Sequence, residues 1–329
     1  MKEIVFLNNN ANKWKKFEDL LNPNSKTTPD EIADLFIEVT DDLAYARTFY
    51  TRSKTTTYLN SLALKAYRSI YKNKKESYKR IFTFWSEELP LVYRETRKYI
   101  LYSLAIFLLS VAIGIVSSAN NIDFVRIILG DEYVDMTLRN IENKDPMAVY
   151  KSMQETEMFV MISLNNIYVS FLAFVYGVFV SIGTAYVLLM NGIMLGSFQY
   201  FFYEYGVLKE SVLTIWIHGT LEIWAIIVAG GAGITLGNSI LFPETYSRIV
   251  SFRVAVRKGL KMAVGLVPIF IAAAFLEGFI TRHTDFPDAV RLFIILASLS
   301  FIVWYFFIYP QKVFEKVLKQ NSKTRNELS

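Results

Sequence analysis

The sequence predicts an all-α membrane protein: a helical cytoplasmic N-terminal region followed by an α-helical transmembrane bundle of about six helices. Three observations carry that expectation. Of 329 residues, 53% are apolar and only 20% charged. Residues 1–98 hold 18 of the 35 Lys and Arg, whereas the long apolar runs crowd into residues 99–310. Several of those runs reach the roughly 20 residues that a helix needs to cross a bilayer.

The head, residues 1–98, comes first. Residues 4–7 are apolar, but Asn and Lys follow at once, so they do not form the apolar region of a secretory signal. The head is therefore expected in the cytoplasm. Residues 8–21 suit a short leading helix. Thr28-Pro29-Asp30-Glu31 reads as a helix start, with Thr28 as cap and Glu31 completing a capping box. Ile32, Leu35, Phe36, Val39 and Leu43 follow at helical spacing, as do Leu59, Leu62, Ala63, Ala66, Tyr67 and Ile70. A further helix is expected over about 76–97, kinked or restarted at Pro90. Lys72, Lys74, Lys75, Lys79 and Arg80 form a basic cluster, which fits a solvated face or attraction to anionic lipid. No base-reading or base-stacking motif accompanies the charge, so nucleic acid is not expected as a partner.

Residues 99–117 supply one crossing, 213–237 another, and 263–281 and 292–310 two more. The stretch 159–205 carries no charge until Glu204 and is twice the length of one span. It reads either as one crossing with a re-entrant piece or as a hairpin turning near Ser181-Ile182-Gly183-Thr184. Arg94, Arg97 and Lys98 place the first crossing's start inside. Residues 118–158, with eight acidic residues against four basic, then lie outside. The hairpin brings the basic segment 247–261 and the basic tail 311–329 back inside, and a single crossing does not. The positive-inside rule thus favours the hairpin, with both termini cytoplasmic. Segment 247–261 is expected along the inner interface as a basic amphipathic helix.

Ionisable groups within spans are costly and usually face a bundle interior or cavity. His218 and Glu222, four residues apart, share a helix face. Asn165, Asn166 and Glu277 fall at similar depth in the outer half of their spans. Such groups serve as hydrogen-bonding glue between helices, as a site for a substrate, ion or proton, or as ligands of a hydrolytic metal. The last needs Glu277 as third ligand, because the second His of a zinc-protease helix is missing. Asn191 opens a small-residue face with Gly192 and Gly196. Gly230, Gly231, Gly233 and Gly237 make another. These are expected to let helices approach closely, the alternative being helix breaks that expose backbone to a ligand. No nucleophilic triad, nucleotide-binding loop or resident cofactor is expected. The absence of cysteine excludes thiolate metal sites and disulfides.

These residues resemble the stage II sporulation protein M family of bacterial membrane proteins. The head carries Asp42-Leu43-Ala44-Tyr45-Ala46-Arg47-Thr48 and Tyr58-Leu59-Asn60. The membrane part carries Asn165-Asn166-Ile167, Leu172-Ala173-Phe174, Gly183-Thr184 and Asn191-Gly192-x-x-Leu195-Gly196. His218-Gly219-x-x-Glu222, Ala229-Gly230-Gly231-Ala232-Gly233, Arg248 and Glu277-Gly278-Phe279 follow in order. Ile217 stands where relatives often have Pro. The resemblance implies a polytopic inner-membrane protein, in sporulating bacteria one that acts with peptidoglycan-remodelling proteins as a membrane scaffold.

Three functions follow as expectations. The first is a scaffold or assembly component linked to the cell envelope, holding envelope or membrane protein partners by its head and outer segment. The second is a transporter, channel or lipid-handling protein built on His218, Glu222, Asn165, Asn166, Asn191 and Glu277. The third is a metal hydrolase at His218, Glu222 and Glu277. The bilayer is the expected surrounding, and the small-residue faces would also allow a homodimer.

Overall fold

The computed structural model describes residues 2–21, 29–72, 79–151, 154–283 and 286–327. Thr28, Lys74 and Lys75 lie outside the described residues, as do the side chains of Glu31, Lys72, Lys79, Lys323 and Arg325. The chain divides into two units, residues 1–81 and 82–329.

Among its described residues the first unit has three complete helices, α1 (Glu3–Leu20), α2 (Pro29–Phe49) and α3 (Lys54–Lys72). Their apolar faces meet in a core of Phe6, Trp14, Phe17, Val39, Leu43, Ala46, Leu59, Leu62 and Ala66. Polar struts tie the helices together around it. Trp14 donates its indole N–H to Asp42 at 2.7 Å, and Lys13 pairs with the same carboxylate at 2.6 Å. The Tyr58 hydroxyl donates to Glu18 at 3.1 Å, and Arg47 to Asn60 at 2.6 Å. The two head motifs quoted above are thus largely the points where α1, α2 and α3 are fastened.

The last helix expected in the head, over 76–97, belongs from Phe82 onward to the second unit instead. Helix α4 (Lys79–Thr83) passes through a π turn at Phe84–Glu88 into α5 (Leu89–Asn120). Leu89, Val92 and Tyr93 are buried in the core of this unit, which draws the segment out of the head. The π turn and Pro90 belong together. Proline has no N–H, so the Ser86 carbonyl loses its helical donor. Tyr309 supplies a hydroxyl to that carbonyl at 2.9 Å, and Tyr305 donates to the Trp85 carbonyl at 2.8 Å. Within a bilayer such backbone groups need partners from the protein.

After α5 come α6 (Asp123–Leu129) and α7 (Asp131–Glu142), then α8 (Glu155–Val175), α9 (Ile182–Glu204) and α10 (Leu208–Leu241). Helices α11 (Arg248–Phe275), α12 (Asp288–Val303) and α13 (Tyr309–Glu327) complete the chain. Six helical stretches among the described residues are long and apolar enough to cross a membrane. The protein is a multi-pass membrane protein.

The 159–205 run is two helices. A short 3-10 turn at Tyr176–Val178 ends α8, and Val180 and Ser181 take positive φ before α9 begins. The break thus falls just before the expected turn. Gly192 abuts Ser110 and the Phe107 carbonyl, while Gly196, one turn on, abuts Val111 and Ile115. Helices α5 and α9 therefore run parallel, as they must if α8 returns between them.

Helix α10 is the hub. Its apolar window is 72% buried, against 22–44% for the other five candidate spans. A Cβ at Gly230 would strike Ser103 of α5 and Leu188 of α9, and one at Gly231 would strike Ile100. Gly233 abuts the Ala173 carbonyl and Thr184, and Gly237 abuts Ser181 and the Gly177 carbonyl. The glycines let three helices and a turn reach the α10 backbone, and α10 runs on through them without a break.

Segment 247–261 is not a separate interfacial helix. Nothing breaks the helix between it and the fifth span, so it forms the first turns of α11. Ala255, Gly259 and Met262 are buried, and Lys258 and Lys261 pair with Glu95 and Glu88 at 2.8 and 2.7 Å. Arg94 donates to Gln311 at 3.1 Å, and Lys316 pairs with Glu87 at 3.3 Å. The starts of α5 and α11 and the tail thus share one basic end of the bundle.

Helices α6 and α7 cap the opposite end. Val125, Val134 and Met147 pack with Phe201, Phe202 and Ile215. Arg126 bridges the two helices through Asp131 at 3.0 Å and Asp135 at 2.8 Å, and both carboxylates raise its pKa further above its ordinary value.

Candidate functional site

The 3.6-residue period of α10 puts His218 and Glu222 on one face, one turn apart. His218 is 4% exposed and Glu277 9%. Glu277 arrives from α11, where the helix widens into a π turn at Leu276–Thr281. Such turns are rare and recur at functional sites. This one aims two side chains at one ring. Glu277 Oε2 lies 3.7 Å from His218 Nε2, and Thr281 Oγ1 shares a 3.0 Å hydrogen bond with His218 Nδ1. The third helix is α8, whose Asn166 amide donates to Glu222 Oε1 at 2.6 Å. Donor atoms of His218, Glu222 and Glu277 all lie within 4.8 Å of one another.

A cavity of about 410 Å³ opens beside this cluster. Asn165, Asn166, Asn191, His218 and Glu222 line it together with Phe107, Val169, Met194, Leu195, Phe198, Ile215, Ile223 and Ile226. Ile128, Leu129 and Tyr133 of the capping helices complete the wall. Its chemistry is asymmetric, with a mostly apolar chamber and a short polar strip on α8, α9 and α10. The Tyr133 phenol is pushed up to about 12 by burial against this wall.

Of the six residues expected to build a transport or lipid-handling site, five line the cavity. Asn191 bonds back to the Val187 carbonyl of its own helix at 2.8 Å. Glu277 is the exception, standing behind His218 and outside the cavity lining. Two residues were missed in the sequence. Thr281 was signalled by its four-residue spacing from Glu277. Nothing local in the sequence marks Tyr133, because its role depends on how α6 and α7 fold back onto the bundle.

Residues 103–282 match the family described as stage II sporulation protein M, and this stretch contains every residue of the cluster. Residues 4–72 match a separate family, described as a domain of unknown function (DUF8413). The head, read above as part of one continuous resemblance, thus has a relationship of its own, and its match ends inside the first structural unit. No curated protein and no solved structure matches the chain.

Proposed function

Because the chain belongs to the stage II sporulation protein M family, we propose that it is a bacterial inner-membrane protein that binds and handles a small amphipathic molecule of lipid class. The observation that carries this is the 410 Å³ cavity, apolar over most of its wall and polar only at Asn165, Asn166, Asn191, His218 and Glu222. Ligand sites commonly combine an apolar chamber with a few convergent polar groups. The chamber suits acyl or isoprenoid carbon, and the strip suits one polar head. The basic end of the bundle is the cytoplasmic end, since Lys and Arg are retained there, and both termini lie on that side. The capped end, with the cavity, faces outward.

The test is native mass spectrometry of the full chain released from membranes, with extraction of what it carries. Wild type should retain about one lipid-class molecule per chain. Ile223→Trp and Leu195→Trp, which fill the chamber, should not. A wild-type protein that carries nothing would sink the reading. The same spectra read the oligomeric state and any co-purifying protein.

A second reading has its own support. Residues 1–81 form a separate unit whose match is to a separate family. A cytoplasmic module joined to a membrane body suits an assembly component that holds a partner. Cutting before Phe82 leaves the second unit whole. Loss of function with the bundle still inserted would favour this reading, and retained function would remove it.

A further inference from the structure

We infer that His218, Glu222 and Glu277 form a binding site for a divalent transition metal, zinc being the best fit to one imidazole and two carboxylates. Two helices supply the donors, α10 through its i, i+4 pair and α11 through its π turn. In a tetrahedral zinc site, nitrogen and oxygen donors about 2.0–2.1 Å from the metal stand roughly 3.3–3.5 Å apart. His218 Nε2 and Glu277 Oε2 are 3.7 Å apart. That is too long for a hydrogen bond and close to a shared-ligand edge.

Two further observations point to an occupant. Glu277 is about nine-tenths buried, yet it hydrogen-bonds to nothing among the described residues, and its carboxylate faces the ring. Neither Glu222 nor Glu277 forms an ion pair with Lys or Arg among the described residues. Two carboxylates in a membrane interior call for a cation. The surroundings are also those that orient metal ligands. Thr281 holds His218 Nδ1 and so presents Nε2 to the cluster, while Asn166 fixes Glu222. Such outer partners set ring orientation and ligand basicity.

Three protein ligands leave the fourth position open. His218 and Glu222 line the cavity, so that position faces it. Water or an oxygen-bearing head group would take it. The site shares His218 and Glu222 with the cavity proposed above but does not depend on what fills the chamber, because metal is read with no lipid added.

The experiment strips the purified full-length protein with chelator, titrates it with Zn²⁺ and counts metal by elemental analysis after gel filtration. About one zinc per chain is expected. His218→Gln and Glu277→Gln should weaken binding by at least about tenfold, and Thr281→Val by about 10- to 100-fold, each with unchanged elution. Wild type that holds no stoichiometric Zn²⁺, or variants that bind like wild type, would overturn the proposal. Should a variant fail to fold, Co²⁺ added to wild type decides the matter. Tetrahedral d–d absorption is expected, and a purely hexaaqua-like spectrum would refute the site. Metal without bound lipid would leave this site standing and remove the amphiphile reading, and lipid without metal would do the reverse.

Discussion

The Asn166 amide donates to Glu222 Oε1 over 2.6 Å, joining α8 to α10 at the polar strip of the cavity. Replacing Asn166 with Leu leaves a largely buried carboxylate without its donor. An unsatisfied buried polar group costs about 1–3 kcal/mol, more when charged. Asn166→Leu should therefore lower the unfolding temperature in detergent. Asn166→Leu with Glu222→Leu should recover much of the loss. No recovery in the double variant would show that the pair is not the cause.

Tyr309 makes a second test of backbone satisfaction. Its hydroxyl serves the Ser86 carbonyl that Pro90 leaves without a donor. Tyr309→Phe should destabilise the protein by about 1–3 kcal/mol. Pro90→Ala in that background should restore part of the loss, because an N–H returns to the helix. Thermal unfolding of the four proteins in one detergent would show it.

Glycines of α9 and α10 should not behave alike. At Gly196 a Cβ would collide with the Val111 backbone, which cannot rotate away. Gly196→Ala should cost about 1–3 kcal/mol by overpacking. At Gly219 a Cβ would meet only Ile215 and Ile223 side chains, at 3.7 and 3.9 Å. Gly219→Ala should be neutral or stabilise by about 0.4–1 kcal/mol. Equal effects from the two substitutions would contradict this packing.

Alkaline pH should weaken the cap formed by α6 and α7. Burial raises the Tyr133 phenol from its ordinary 10.0 to about 12. Its folded-state value is thus the higher one, so its contribution is complete below pH 10 and is lost as pH rises towards 12. The loss is up to about 2 kcal/mol. Hydrogen exchange at α7 should speed up across that window in wild type and less so in Tyr133→Phe. Identical profiles would place the cause elsewhere.

In the head, Trp14 is buried and bonded to Asp42. Trp14→Ala should cost about 3–5 kcal/mol, and Asp42→Asn less, since an amide oxygen still accepts from the indole. Hydrogen exchange confined to residues 2–72 would report it. Protection unchanged in both variants would refute this core.

Much of the fold was legible in the sequence because it follows from short-range rules. Apolar length marks the spans, and the i, i+4 relation marks the shared face of His218 and Glu222. Charge placement picked out the α8–α9 hairpin, and the parallel run of α5 and α9 requires it. Legibility ended where geometry depends on distant chain. The segment before Pro90 looks like a head helix locally, and only distant residues tie it to the bundle, Tyr305 and Tyr309 at its carbonyls and Lys261 and Lys316 at Glu88 and Glu87. Segment 247–261 has the amphipathic look of an interfacial helix, but its glycine and alanine face is covered by neighbours. Asn165, Asn166 and Asn191 were visible as polar residues at depth. That Asn166 alone touches Glu222, and that Glu277 stands behind His218, depended on helix rotation and a π turn.

The heavy burial of α10 bears on how the protein is made. The helix carries His218, Glu222 and the glycine run, and it is the fourth of six candidate spans. Ser103 and Ile100 of α5, Asn166 and Ala173 of α8, and Thr184 and Leu188 of α9 all precede it in the chain. A nascent chain therefore reaches its most buried span with three lodgings already laid, and α10 need never stand alone in lipid. Helix α11 follows and brings Glu277 and Thr281 over the His218 ring. A chain stopped just after Leu241 would keep α10 seated with that ring bare, whereas one lacking α5 would strand it.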